Sequence, residues 1–130
     1  MLFMDYLLLI GRILFSIIFI LAGINHLRDF NHTVQMAGKF NAPFPKLSAA
    51  AMSLISIAGG LSVSLGFYSK FGALLLFIFL IPTTFIVHRF WGLSDKQQKA
   101  MQLVHFNKNL SLLGVTLMIM YFGSGPLSLN

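Results

Sequence analysis

The sequence predicts an all-α integral membrane protein, a four-helix transmembrane bundle. Three observations support this fold class: apolar residues make up 57% of the 130 residues, charged residues make up 9%, and four apolar runs are long enough to cross a bilayer. An ordinary soluble domain has roughly 25% charged residues, and a chain this small leaves much of its surface in contact with solvent. The composition therefore excludes a soluble fold, and the length indicates a single domain over residues 1–130.

The spans follow from length and hydropathy. A transmembrane helix needs about 20 predominantly apolar residues. The predicted spans cover residues 6–27, 47–67, 71–90 and 106–122. The last run is short, so Lys108 and Asn109 are expected in its first turn, with their polar ends directed to the headgroups. No segment alternates like a barrel strand, so helices are the expected spanning structure.

The longer connections are predicted to carry short interfacial helices. Residues 30–40 form one candidate, with Asn31 as its cap, and residues 94–103 form the other, with Ser94 as its cap. The alternative for both segments is a solvated loop with a turn or two of helix. Within the third span, Pro82 is expected to free a backbone carbonyl and kink the helix.

Basic residues are concentrated on one side of the predicted bundle. The first and third connections and their flanks contain seven Lys or Arg residues, and the opposite side contains only Lys70. The seven are Arg28, Lys39, Lys46, Arg89, Lys96, Lys99 and Lys108. Because Lys and Arg favour cytoplasmic loops, both termini are expected outside the cytoplasm. The net charge of +6 is thus attributed to membrane orientation, and no nucleic-acid partner is expected.

Polar and small residues recur at helical spacing on one face of each span, which predicts the faces that line the bundle interior. These residues are Arg12, Ser16, Gly23 and His26 in the first span, Ser53, Ser56, Gly60 and Ser64 in the second, Thr84 and His88 in the third, and Gly114, Met118 and Tyr121 in the fourth. The simpler interpretation is packing, because small residues let helices approach closely and hydroxyls can bond within the bundle. Such faces also permit a homo-oligomer.

Arg12 is the residue that packing explains least well. A charge within a span costs at least ~2.5 kcal/mol, and no Asp or Glu lies inside any predicted span. The possible partners are backbone carbonyls, hydroxyls of the second span, Tyr121, or an anionic or carbonyl-bearing ligand. The alternative is a side chain that reaches outward toward Asp5.

All four histidines lie on the side predicted to be cytoplasmic. They are His26, His32, His88 and His105. Three imidazoles at one level could bind a metal or transfer protons. They lack carboxylate neighbours and the short spacing of a helical ligand pair, so hydrogen bonds to water or headgroups are the simpler interpretation, and no metal is expected. The chain has no cysteine, which excludes disulfides and thiolate sites.

Several short motifs occur together in a characteristic order. They are Gly11-Arg12, Ala22-Gly23, Met36-Ala37-Gly38, Pro43-Phe44-Pro45, Gly59-Gly60, Lys70, His88-Arg89-Phe90-Trp91, His105-Phe106-Asn107-Lys108-Asn109 and the tail Gly123-Ser124-Gly125-Pro126-Leu127-Ser128-Leu129. In this order the chain resembles the DoxX family of small bacterial four-span membrane proteins. The resemblance implies an inner-membrane protein, often linked with quinone-coupled or other redox systems, and one branch of the family supplies a subunit of thiosulfate:quinone oxidoreductase. Three positions that are acidic in the family pattern are Ser56, Arg89 and Asn130 here.

Three functions are compatible with these features. The first is a redox-associated subunit that binds a quinone-like or other small lipophilic ligand between the helices. It would have no intrinsic cofactor and would need a flavin, haem or thiol partner, since no residue of the chain carries electrons itself. The candidate ligand-binding residues are Arg12, Ser16, Ser56, Thr84, Tyr121, His26, His88, His105, Lys108 and Asn109. The second is a non-catalytic assembly protein that docks a partner protein or anionic lipid. The third, a transporter, is weakest because no internal repeat is evident.

Overall fold

The computed structural model describes residues 2–130. Five α-helices and one π-helical turn make up the chain over this range: α1 Leu2–Arg28, α2 Phe30–Lys39, α3 Pro45–Leu65, α4 Ser69–Pro82, the π-turn Thr83–Val87, and α5 Lys96–Phe122. Four segments are long and apolar enough to cross a membrane, namely α1, α3, α4 together with the π-turn, and α5. The predicted all-α, four-span fold is confirmed.

The boundaries of α2 and α5 correct two predictions. The helix predicted at residues 30–40 is present as α2, but Asp29 rather than Asn31 is its N-cap residue. A separate helix over residues 94–103 is wrong, because α5 continues from Lys96 through the fourth span as a single helix of 27 residues. Its cap is Asp95 rather than Ser94, since the Asp95 carboxylate accepts a hydrogen bond from the Gln97 backbone N–H at 3.0 Å.

Proline and glycine set the ends of α3. Pro45 occupies the start of the helix, where its missing N–H has no intrahelical partner to lose. Gly66 ends the helix at φ 69°, a left-handed conformation that glycine adopts without a Cβ clash. The short turn of residues 66–68 then reverses the chain into α4.

Pro82 changes the geometry of the third span. It is followed by the π-turn, in which the His88 N–H donates to the Thr83 carbonyl at 3.0 Å, five residues back. This wider turn follows the proline directly, and it ends the span at Val87, three residues before the predicted end. The kink expected at Pro82 stays a prediction.

The four spanning segments pack in a definite order. α1 packs on α3, α3 on α4, and α4 on α5, whereas α1 and α5 are not closely packed along their described lengths. This order agrees with the burial of the spans. Of the most apolar stretch of each span, 33% is buried in α3 and in α4, compared with 22% in α1 and 17% in α5. We call the space between α1 and α5 the α1–α5 seam.

Small residues bring the central helices close together. A Cβ atom at Gly23 of α1 would lie 2.7 Å from the Ser53 carbonyl oxygen of α3, and one at Gly59 would lie 2.9 Å from the Gly72 carbonyl oxygen of α4. Such approaches exclude any larger residue unless the backbone moves. Gly23, Gly59 and Gly60 therefore serve as packing positions within the bundle.

The inward face of α5 differs from the predicted one. Asn109, Leu113 and Thr116 are buried, whereas the predicted line through Gly114 to Tyr121 lies on the outer surface, with Tyr121 77% exposed. Both faces combine a small or polar residue with apolar ones at helical spacing, so periodicity alone does not distinguish them.

The bundle has two chemically different ends. The terminal end contains the start of α1, the turn of residues 66–68, and the C-terminal tail of residues 123–130. The histidine end contains α2, the π-turn and the first turns of α5, together with His26, His88 and His105.

Candidate functional site

Arg12 is bound by the C-terminal tail. Its side chain is 4% exposed. Nη1 donates to the carbonyl oxygens of Ser124 at 2.8 Å and Pro126 at 3.2 Å and to Ser128 Oγ at 2.6 Å. Nη2 donates to the Leu127 carbonyl at 2.7 Å. Of the partners considered from the sequence, backbone carbonyls are the ones observed. We call these contacts the tail clamp.

The tail adopts a shape that presents its carbonyls to Arg12. Gly123 and Gly125 have φ values of 78° and 73°, in the left-handed region that glycine tolerates best, and Leu127 has φ 55°. Beyond the clamp, the Leu129 N–H donates to the Leu65 carbonyl at 3.2 Å, and Asn130 Oδ1 accepts from the Tyr68 N–H at 2.9 Å. The tail therefore ties α1 to the α3–α4 turn and to the end of α5.

Two of the hydroxyls predicted as ligand donors are occupied elsewhere. Ser16 donates to the Arg12 carbonyl at 2.6 Å, within α1, and Ser56 donates across from α3 to the Phe19 carbonyl at 2.7 Å. Thr84 is fully buried, and its hydroxyl has no partner in the described part of the chain. The prediction that Tyr121 faces the interior is wrong. Arg12, Ser16, Ser56, Thr84 and Tyr121 thus do not line a shared cavity.

A cavity of about 140 Å³ lies at the histidine end, between α1, α4 and α5. We call it the histidine-end cavity. Its lining consists of Ile18, Phe19, Ala22, His26, Phe79, Leu80, Thr83, His88, Lys108, Asn109 and Leu112. An engineered cavity of about 150 Å³ with apolar walls accommodates benzene, so the histidine-end cavity has room for one six-membered ring.

Asn109 is the most deeply buried polar side chain of this cavity. It is 3% exposed, and its amide forms no hydrogen bond with any group in residues 2–130. Its N–H and C=O groups are therefore available to a molecule that occupies the cavity.

His88 is fixed by its neighbours on α5. Its Nδ1 lies 2.9 Å from Gln102 Oε1, and its ring stacks on that of His105 with centroids 4.8 Å apart. Since an amide oxygen only accepts, Nδ1 carries the proton in this arrangement, and Nε2 is an acceptor in the neutral ring. Burial lowers the pKa of His88; the hydrogen bond to Gln102 opposes this, and His105 and Lys108 lower the pKa further. The ring is therefore neutral at pH 7.

Aromatic rings form part of the apolar wall. Phe19 of α1 and Phe79 of α4 meet edge to face with centroids 6.2 Å apart. Phe19 is 2% exposed and Phe79 is 7% exposed. The cavity thus combines apolar and aromatic walls with polar groups from three helices, a composition typical of sites for small organic molecules.

The structure brings together only part of the predicted set. His26, His88, Lys108 and Asn109 line the histidine-end cavity, and His105 lies behind His88. Among the residues described, no group of three or more His, Cys, Asp or Glu side chains is placed to hold a metal. That the protein binds no metal remains a prediction.

Sequence reasoning did not assign Gln102, Phe19 or Phe79 to the site. Gln102 holds His88, and Phe19 and Phe79 form the aromatic wall. Gln102 precedes His105 by three residues on α5 and so shares its helix face, which was a signal in the sequence. The contact between Phe19 and Phe79 joins residues 60 positions apart, and nothing local indicates it.

Comparison with known proteins agrees with the motifs. A family model described as DoxX matches residues 7–89, from α1 to just beyond the π-turn. The inner membrane protein YphA of Escherichia coli (strain K12) is 31% identical to the chain over 124 residues, which is 95% of this chain and 88% of that protein. No solved structure matches the chain.

Proposed function

Since the chain belongs to the DoxX family, as its motifs predict, and is a multi-pass inner-membrane protein, we propose that its histidine-end cavity binds the ring of a quinone or a similar small lipophilic molecule. In this role the chain is a membrane subunit that serves a separate redox protein. The observation that carries the proposal is Asn109, a buried amide that lines the cavity and has no partner in residues 2–130.

The chemistry of the amide suits the oxygens of such a ring. A quinone oxygen accepts a hydrogen bond, and the hydroxyl of the reduced form donates one. The Asn109 side chain offers both an N–H donor and a carbonyl acceptor, so it can pair with either form.

The other lining groups supply charge and shape. Lys108 places a cation at the cavity, which favours a partly negative oxygen, and the neutral His88 ring offers Nε2 as an acceptor. Phe19 and Phe79 present apolar surface to the ring. His26 adds a further polar group from α1.

This assignment places the ligand away from Arg12. The guanidinium already directs both terminal nitrogens to the tail, and only its Nε has no partner in the described residues. We therefore assign Arg12 a structural role and assign ligand binding to the histidine end.

Electron transfer requires a partner. No residue of the chain carries electrons itself, and a flavin, haem or thiol of another protein would have to reach the bound ring. The basic residues Arg89, Lys96 and Lys99 lie at the histidine end and would attract an acidic surface on such a partner. With the positive-inside bias, that partner would approach from the cytoplasm.

The test uses the single tryptophan of the chain. Trp91 packs on Phe106 with ring centroids 5.8 Å apart. Phe106 is close in sequence to Lys108 and Asn109, so the fluorescence of Trp91 reports on the histidine end. We expect decylubiquinone to quench Trp91 saturably in detergent micelles. Asn109→Leu should weaken binding about tenfold, because it leaves the ring oxygen unpaired in the cavity at a cost of about 1–3 kcal/mol.

Asn107→Leu is the matched control, since Asn107 is exposed on the same helix. It should leave the quenching curve unchanged. Quenching that never saturates, or equal weakening in both variants at equal thermal stability, would contradict the proposal.

A second candidate function has one specific observation in its favour. An open groove of about 560 Å³ at the histidine end lies between α2 and α3. It is lined by Phe30, Phe44, Pro45, Lys46, Leu47 and Ala50. A non-catalytic assembly protein could hold a partner protein or an anionic lipid there, with Lys46 providing the charge. Native mass spectrometry that finds a stoichiometric protein or lipid but no ring-containing ligand would favour this function.

A further inference from the structure

We propose that the ligand reaches the histidine-end cavity sideways from the bilayer, through the α1–α5 seam, and that its hydrocarbon tail stays in the seam when the ring is bound. The inference rests on the proposed function and narrows its substrate class to amphiphiles with a single-ring head and an apolar tail. A lateral route through lipid also excludes water-soluble ring compounds as preferred ligands.

The packing order of the helices provides the route. Each of the pairs α1–α3, α3–α4 and α4–α5 is closely packed, whereas α1 and α5 are not. The cavity draws lining residues from α1 and from α5, among them Ile18 and Leu112. The cavity therefore lies beside the two neighbouring helices that are least closely packed.

The residues at the seam are apolar. Ile18, Ala22 and Leu112 line the cavity from its two edge helices, and Ile18 is 37% exposed. A hydrocarbon chain passes such an opening without losing hydrogen bonds, whereas a hydrated solute would have to give up its water there. The polar groups of Asn109 and Lys108 stand further toward the histidine end of α5.

The size of the cavity also requires an exit for the hydrocarbon tail of the ligand. About 140 Å³ accommodates a ring of benzene size, so a long alkyl chain attached to that ring must leave the cavity. Through the seam it enters the bilayer core directly and remains in apolar surroundings.

The terminal end of the seam is bridged. Arg12 of α1 holds Ser124 and Leu127 of the tail that follows α5. Arg12 precedes Ile18 by six residues, or about 9 Å along the helix axis. The bridge and the opening therefore occupy different halves of the seam, with the opening nearer the histidine end.

The test exploits the absence of cysteine from the chain. Ile18→Cys places a single thiol at the seam. Ile17→Cys is the matched control, because Ile17 is also exposed, at 43%, and points about 100° away on the same helix. Folded, purified protein is labelled with N-benzylmaleimide. The benzyl group that obstructs the seam is therefore attached only after the helices have assembled. Two fully substituted quinones that cannot add thiols are compared: decylubiquinone and the tailless duroquinone.

We expect decylubiquinone at ten times its dissociation constant to slow labelling of the Ile18→Cys thiol about tenfold, and duroquinone at the same saturation to protect it much less. Prior labelling at Ile18→Cys should weaken decylubiquinone binding, measured by Trp91 quenching, at least tenfold. Labelling at Ile17→Cys should change neither quantity.

Equal labelling rates and equal effects of labelling for the two thiols, or equal protection by both quinones, would overturn the lateral route. Saturable quenching of Trp91 in the same experiment would leave the proposed function intact. Failure of both quinones to quench the unlabelled protein saturably would instead contradict the proposed function, and this inference with it.

Discussion

Replacing Arg12 by leucine tests the role of the tail clamp directly. The substitution removes the four contacts that Arg12 makes with Ser124, Pro126, Leu127 and Ser128. Leucine is apolar and suits a span, so α1 should still insert. We expect the tail to detach while the helices remain assembled.

The size of the effect follows from the burial of each bond. The bond to Ser124 is buried, and a hydrogen bond to a charged group in that setting is worth about 2 kcal/mol. The other three are partly buried, and we assign each about 0.5 kcal/mol, the low end for an ordinary hydrogen bond, because solvent screens the charge at these more exposed contacts. Together they favour the closed tail by about 3.5 kcal/mol, which corresponds to a roughly 300-fold increase in the open population when they are lost.

The free energy of unfolding of the whole bundle should change much less. Arg12→Leu also removes a charge from the hydrocarbon, where its cost is at least ~2.5 kcal/mol. This gain offsets most of the lost hydrogen bonding in the global balance. Local opening of the tail and global stability should therefore respond differently.

Hydrogen exchange with mass analysis separates the two quantities. The Leu129 and Asn130 amides, which donate to the Leu65 and Gly66 carbonyls, should exchange about 300-fold faster in Arg12→Leu. The core of α3 should be unaffected. Arg28→Leu, at an exposed position near the other end of α1, is the control and should leave the tail protected.

Two results would refute the reasoning. Unchanged exchange at Leu129 and Asn130 would mean that the clamp does not hold the tail. Loss of protection throughout α3 would mean that Arg12 supports the whole bundle. Decylubiquinone binding should stay within about twofold of the unmodified protein, because sites that share no partners couple by only about 0.5 kcal/mol.

Two further predictions concern orientation and pH. A reporter active only in the cytoplasm, fused after Asn130, should stay silent because of the seven-to-one distribution of Lys and Arg; a strong signal would reverse the proposed topology. Because burial lowers the pKa of His88 below its ordinary value, the neutral ring contributes stability above pH 6.5 that is lost as pH falls through the lower, folded-state value. Thermal midpoints measured from pH 7 to pH 5 should fall less in His88→Gln, which cannot titrate beside His105 and Lys108, than in the unmodified protein; His32→Gln, at an exposed position, should show the full decline.

Hydropathy predicted the spans because a bilayer imposes length and composition on each one. The start of α5 was predicted wrongly because residues 96–105 are polar enough to resemble a loop, yet their helix is continuous with the span and needs no break. Hydropathy registers only the part of a helix that lies in lipid.

The histidine end was more predictable than the terminal end. His26, His88, Lys108 and Asn109 lie near the same ends of their spans, so topology alone places them at one level. Arg12 and Ser124 are 112 positions apart, and no local pattern pairs a guanidinium with carbonyls of an irregular tail. Tyr121 was assigned to the wrong face because α5 has two faces of similar composition.

The tail clamp also dictates the order in which the protein can be built. Arg12 leaves the ribosome 112 residues before Ser124, its first partner in the tail, and at ~5–20 residues per second that interval lasts about 6–20 s. During this time α1 must stay in the membrane with its guanidinium unpaired, at a cost of at least ~2.5 kcal/mol. The length and strongly apolar composition of α1 favour its retention there. The clamp can therefore close only after α5 has been made, when the tail reaches Arg12 of α1.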